Sequence, residues 1–280
     1  MLNNSKTIGR IILTIIVVIV LTIFTQVGGV IYLLSFSLYP IINKKTSKYY
    51  WRVALKTAAF FFLYIVLTFT FIPWLANFSG RVPLPYTQTN FVRPLNVMTC
   101  LLNRHYVRPE LKQTTYEVAE RMQKQFPGTV VNYLDGNFPF FNGFPLFPHL
   151  SHNDGKKLDV SFYYREKKTN KESNDSASPI GYGVCEEPLP GEQNIPNQCE
   201  DKGYWQYSLL KKLIIQSGKD QLSFDPDRTA MLIQLFAAKR NINKIFIEPH
   251  LKKRLQLTSP KIRFHGCQAV RHDDHLHIQL

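Results

Sequence analysis

The sequence predicts an α+β domain built on an antiparallel sheet and preceded by two membrane-spanning helices. Three observations lead there. Two apolar runs with almost no charge occupy the first 75 residues. After them, strand-like and helix-like segments alternate without a βαβ rhythm. The chain ends on His275-Leu276-His277-Ile278, imidazole and aliphatic side chains in the two-residue period of a strand.

Ile11 to Leu38 carries no charge over 28 residues, and Val53 to Leu75 carries only Lys56. About 20 apolar residues cross a bilayer, so each run suffices for one span. The first is too short for two spans joined by a turn. No small-residue cleavage site follows a short apolar core, which favours an uncleaved anchor over a signal peptide. The 280-residue chain has a formal charge of +14. Its first 88 residues hold eight Lys or Arg and no acid, leaving 26 basic against 20 acidic residues, a net +6, for the remainder. The excess therefore flanks apolar runs instead of covering a folded face, which argues for a membrane and against nucleic acid. Lys44, Lys45, Lys48, Arg52 and Lys56 lie around the loop between the runs, against Lys6 and Arg10 before them and Arg81 after. Basic short loops stay in the cytoplasm, so the loop is expected inside, with the N-terminus and the long C-terminal part outside. Trp51 and Trp74 suit the membrane interfaces. Residues 1–78 thus form the anchor. Residues 79–94 read as a linker, since Ser79 to Pro85 is small, Pro-containing and aperiodic. Residues 95–280 form one domain.

Within the domain, Pro109 to Phe126 has helical spacing, with Leu111, Val118 and Met122 on one side. Thr129 to Leu134 and Lys157 to Tyr164 read as strands. Asp225-Pro226 marks a helix start, a capping Asp followed by Pro at the first helical position, and leads into Met231, Leu232, Leu235 and Phe236. Lys244 to Ile247 and His275 to Leu280 are the last strands. Residues 166–203, rich in Lys, Asn, Ser, Pro and Glu, read as a surface excursion with little to bury. Four cysteines allow three pairings. Cys185–Cys199 is favoured by proximity in sequence, with Cys100 and Cys267 a weaker second pair. No Cys-x-x-Cys is present, so a cysteine zinc cluster is not expected.

The chemistry concentrates in two stretches. One runs from His149 through Ser151, His152 and Gly155 to Asp159. The other is the tail with His272, Asp273, Asp274, His275 and His277. His275 and His277 share one strand face, and Asp159 shares a face with Ser161 and Tyr163. If the two strands are neighbours, His152, Asp159 and His277 converge. Two imidazoles and one carboxylate suit zinc and leave a coordination position for water. Taken singly, each element has a plainer explanation: a His-x-His pair on a solvated strand, loop histidines, and Asp273 and Asp274 as surface charges.

Ser151-His152 with Gly155 and Asp159, together with His275-Leu276-His277, resembles the zinc peptidases named after lysostaphin, D-Ala-D-Ala metallopeptidases and hedgehog. The likeness is greatest to the penicillin-insensitive murein endopeptidases. It extends to His149-Leu150-Ser151-His152, to Lys244-Ile245-Phe246-Ile247 and to His272, and covers roughly residues 95–280. The resemblance implies a hedgehog/D-Ala-D-Ala-peptidase-like zinc domain with Zn2+ on His152, Asp159 and His277. It implies His275 beside the metal as base or transition-state stabiliser, and His272 as its companion. His149 and Ser151 would stand behind the ligands or on the substrate side. The expected activity is hydrolysis of D-amino-acid-containing peptidoglycan stems by a D,D-endopeptidase at the bacterial inner membrane, with the domain on the periplasmic side. A D,D-carboxypeptidase and a non-catalytic zinc module of the cell envelope are the alternatives. The chain departs from that family in its anchor, in residues 166–203, and in Val160-Ser161-Phe162 after Asp159.

Overall fold

A computed structural model describes residues 2–280, with side chains from Thr7 onward, so the Lys6 side chain lies outside the described residues. The chain is α+β, and two of its helices are long and apolar enough to cross a membrane, at Thr7–Thr25 and Tyr49–Phe69.

The first apolar run is not one continuous helix. Its helix, Leu2–Thr25, stops at Gln26, whose φ is +64°, and the chain turns back through the helices Gly28–Ser35 and Tyr39–Lys45. Gly29 permits the turn: a Cβ there would sit 2.2 Å from Thr22 Oγ1 and 2.6 Å from the Val18 carbonyl oxygen. The returning limb then packs antiparallel to Tyr49–Phe69. The Tyr32 and Phe60 rings are 5.6 Å apart, Lys56 Nζ lies 4.6 Å from the Tyr39 ring, and Arg52 Nε donates to the Thr46 carbonyl at 2.7 Å. The Thr46–Lys48 turn thus forms one end of this hairpin. The folded domain sits at the other end, where Phe140 N–H donates to Gln26 Oε1 at 2.8 Å.

Residues 79–94 are not a linker either. Arg81 is buried and donates to the Phe138 carbonyl and, at 2.6 Å, to Asn142 Oδ1. Val82–Pro83 pairs with Tyr106–Val107, Leu84 is buried, and Val92–Pro94 is an edge strand of the main sheet. Strands of two or three residues leave no periodic trace in a sequence.

The main sheet has six strands in the order Ile262–Arg263, Lys244–Phe246, His275–Gln279, Lys157–Ser161, Val131–Tyr133, Val92–Pro94. Its centre is antiparallel and each edge carries one parallel pair. The helices Pro109–Gln125 and Pro226–Ala237 cover one face. The second begins at Asp225, whose carboxylate accepts from Arg228 N–H at 3.2 Å. Leu158, Val160, Leu276 and Ile278 belong to the core, beside Leu111, Met122, Leu232 and Phe236 from these helices. Strand alternation therefore turns Asp159, His275 and His277 to the opposite face, and the register sets His277 directly across from Asp159.

Residues 166–203 bury more than their composition suggests. Tyr182, Val184, Cys185 and Cys199 are all buried, and Ile195–Asp201 is helical. Gly181 and Gly183, at φ +82° and +81°, let the chain fold inward around Tyr182. The expected Cys185–Cys199 pairing is also corrected. The disulfide joins Cys199 to Cys267, with Cα atoms 5.3 Å apart. Cys185 is buried without a disulfide partner, and Cys100 lies 3.2 Å from the Tyr133 hydroxyl. Proximity along the chain was a poor guide because the excursion folds across to the loop before the last strand. The bond closes a separation of 68 residues. On the chain-entropy model Cys199→Ser is expected to destabilise the domain by about 4 kcal/mol. Differential scanning calorimetry should show a Tm lower by roughly 10 °C.

Candidate metal centre

The loop before the Lys157–Ser161 strand supplies the first imidazole. Gly155 N–H donates to Asn137 Oδ1 at 3.0 Å and its carbonyl accepts from Arg108 N–H at 2.7 Å, which fixes the loop's end. His152 Nδ1 donates to the Gly136 carbonyl at 2.7 Å, so its Nε2 presents a lone pair to the site. That Nε2 lies 3.1 Å from His277 Nδ1 and 3.3 Å from Asp159 Oδ1. His277 Nδ1 lies 2.9 Å from Asp159 Oδ1. Three donor atoms from two adjacent strands and a loop thus form a small buried triangle. Tetrahedral zinc with bonds of about 2.0–2.1 Å has ligand–ligand edges of about 3.3 Å, so the triangle fits that ion closely.

The protonation states suit the same purpose. Burial alone would raise Asp159, but the neighbouring His152 and His275 imidazoles, with His149 beside its outer oxygen, outweigh it and hold the carboxylate well below its usual range. Burial brings His277 down to about 4 against the opposing pull of Asp159. An ionised carboxylate beside a neutral imidazole is what a cation requires.

His149, His152 and Asp159 also place one ligand atom each within 4.8 Å of one another. The set with His277 is tighter, and His149 behaves differently. Its Nδ1 stands 3.2 Å from Asp159 Oδ2 and 3.3 Å from Asp135 Oδ2, with angles outside those of a hydrogen bond, so the attraction is Coulombic. Burial opposes its charge, yet the two carboxylates raise it to about 9. A cationic His149 braces the outer oxygen of Asp159 and leaves Oδ1 to the triangle.

His275 stands next to the triangle, with Nε2 3.7 Å from Asp159 Oδ1. Its Nδ1 is bonded to Asp274 Oδ1, and Asp274 Oδ2 accepts from Gly183 N–H at 2.5 Å. Burial works against charge on His275, but Asp274 and Asp159 raise its pKa. The His272 ring lies 5.1 Å from His275 and 5.6 Å from His277. Burial, reinforced by the neighbouring histidines, holds it well below the usual imidazole range. A cleft of 390 Å³ opens over these groups, with His149, Ser151, His152, His272, His275 and His277 in its wall and Phe147 and Trp205 on its rim. The candidate site residues His149, Ser151, His152, Asp159, His272, His275 and His277 therefore all line one cleft.

Further side chains, to which the sequence assigns no role, support the site. Tyr182 hydroxyl donates to Asp159 Oδ2 at 2.9 Å and accepts from Asp135 N–H at 3.2 Å. Asp135 is paired with Arg104 at 2.7 Å. Asp274, for which a surface charge was the plainer alternative, is buried and orients His275, while Asp273 is buried against Arg271. Glu248 Oε1 accepts from His272 N–H at 3.2 Å. Two faint signals existed: an aromatic residue held between glycines at 181–183, and a carboxylate immediately before His275.

No family model matches this chain, and no curated protein matches it.

Proposed function

We propose that this chain is a membrane-anchored, zinc-dependent peptidase that hydrolyses D-amino-acid-containing peptides of peptidoglycan, acting as a D,D-endopeptidase. The observation that carries the proposal is the buried triangle of His152, Asp159 and His277 with the His275–Asp274 pair beside it. His152 Nε2, Asp159 Oδ1 and His277 Nδ1 would hold the ion. Zinc bound there supplies a Lewis acid that polarises the scissile carbonyl and acidifies water at the site. The remaining work falls to the chain's own groups. His275 Nε2 receives the proton of the attacking water, and Asp274 on Nδ1 fixes its tautomer and favours the imidazolium. That imidazolium also stabilises negative charge developing on the carbonyl oxygen. A structural zinc site has no use for such a pair, which separates this proposal from a non-catalytic module.

Lys44, Lys45, Lys48 and Arg52 lie in or beside the Thr46–Lys48 turn, at the hairpin end away from the domain. Basic ends remain in the cytoplasm, so the domain belongs on the outer face, in a bacterium the periplasmic face of the inner membrane. The net +6 of residues 89–280 suits an anionic wall.

Tyr182 and His149 both act on the outer oxygen of Asp159. Tyr182→Phe is expected to weaken zinc binding by roughly tenfold, measured by chelator competition on purified protein. Unchanged affinity would remove Tyr182 from the site's support. The activity itself is tested by digesting purified peptidoglycan and reading products by mass spectrometry. Cross-linked dimers converted to monomers are expected. Loss of single D-Ala residues would point to a carboxypeptidase, and intact wall in the presence of zinc would refute hydrolysis.

A further inference from the structure

A second cavity adjoins the metal cleft. It has a volume of 210 Å³ and shares Pro148, His149 and Leu210 with the cleft as a common wall. Met98, Leu102 and Ile180 supply most of its remaining apolar lining. Of its three charged groups, Arg104 and Asp135 are bound to each other at 2.7 Å, and His149 Nδ1 is turned to the Asp135 and Asp159 carboxylates at 3.3 and 3.2 Å, so most of the charge in the wall is paired within the protein. Such a space favours hydrocarbon.

Its position relative to the spans is fixed by hydrogen bonds. Tyr64 hydroxyl donates to the Leu101 carbonyl at 2.6 Å and accepts from Asn103 Nδ2 at 3.1 Å. Tyr64 lies five residues before the end of the Tyr49–Phe69 helix, about 7.5 Å inward at 1.5 Å per residue. The short helix Val97–Leu101, which carries Met98, is therefore held against the outer part of a span. Val97 is 57% exposed and Met98 53%, and both are apolar. The helix Phe71–Phe78 that continues the span exposes Phe71, Trp74 and Phe78 along one side while burying Ile72 and Ala76. An aromatic stripe of that kind lies in a membrane interface. Because residues 79–94 are folded into the domain, nothing lets the cavity swing away from the bilayer.

We propose that this cavity takes the hydrocarbon portion of a bilayer-resident amphiphile. The chain enters sideways from the membrane between Met98 and Ile180, and the polar peptide end passes His149 into the metal cleft. The substrate is then a peptide carried on a lipid chain and met at the membrane surface, not a distant strand of finished polymer. This rests on the hydrolytic reading of the cleft, but it is tested without zinc or turnover.

The test uses the full chain in phosphatidylcholine vesicles with a photoreactive probe, dodecanoyl-glycine bearing a diazirine at the chain end. Cross-linked peptides are mapped by mass spectrometry. Labelling is expected on the segments holding Met98 and Ile180, equally with and without zinc. Met98→Asp or Ile180→Asp should reduce that labelling by at least about tenfold, because each places a charge at an apolar mouth. Both side chains are more than 40% exposed, at 53% and 41%, so either variant should fold. Labelling of the exposed Phe61 and Phe62 on the span should stay unchanged. Labels confined to the spans, or acetyl-glycine competing as well as unlabelled dodecanoyl-glycine, would overturn the proposal. Cavity labelling in a protein that binds no zinc would sink the peptidase assignment and leave this one standing.

Discussion

Alanine in place of His277 is expected to weaken zinc binding by roughly 100- to 1,000-fold, about one ligand's share of the affinity of a structural site. Its Nδ1 is one corner of a triangle whose other corners are 3.1 and 2.9 Å away. Removing it leaves two donors and a buried cavity beside Phe246 and His265. His152→Ala should act alike, with the added loss of the hydrogen bond to Gly136. His149→Ala discriminates between the two possible ligand sets. If His149 only braces Asp159, its removal should cost at most about the tenfold to hundredfold typical of outer hydrogen-bonding partners. Isothermal titration with zinc reads all three. Equal losses at His149 and His277 would contradict the assignment.

His275→Ala is expected to retain zinc and to lower kcat by about 10²- to 10⁴-fold, the range of positioned acid–base groups. Its Nε2 faces the triangle without completing it, and its Nδ1 is committed to Asp274. Asp274→Asn should follow in the same direction with a smaller loss, since it removes the charge that favours the imidazolium but keeps a side chain near Nδ1. Turnover of a cross-linked muropeptide and zinc content are measured on the same samples. Full hydrolysis by the His275 variant would show that another group moves the proton.

Much of the site was legible because two of its three donors lie on strands. The period of two that turns Leu158, Val160, Leu276 and Ile278 into the core necessarily turns Asp159 and His277 out of it, and antiparallel pairing of the two strands sets them opposite each other. The capped helix at Asp225-Pro226 and the amphipathic helix from Pro109 were legible for the same reason: a local period with a recognisable start. What remained hidden depends on distant contacts. Gln26 lies in an uninterrupted apolar run, so nothing in hydropathy marks the reversal there; the signal is the pair Gly28-Gly29, whose importance appears only once Thr22 and Val18 are seen against it. Residues 79–94 join the domain through one buried guanidinium and very short strands. Tyr182 belongs to a segment whose polar composition suggests solvent, yet two glycines bring it to Asp159. The disulfide follows from that same inward fold and could not be read from spacing.

Anomalous X-ray diffraction from crystals of the zinc-loaded protein, recorded at the zinc edge, tests the central claim most directly. One peak is expected within bonding distance of His152 Nε2, Asp159 Oδ1 and His277 Nδ1, with His275 adjacent but not bound. A peak coordinated by His149 in place of His277, or no peak in the cleft at saturating zinc, would contradict it.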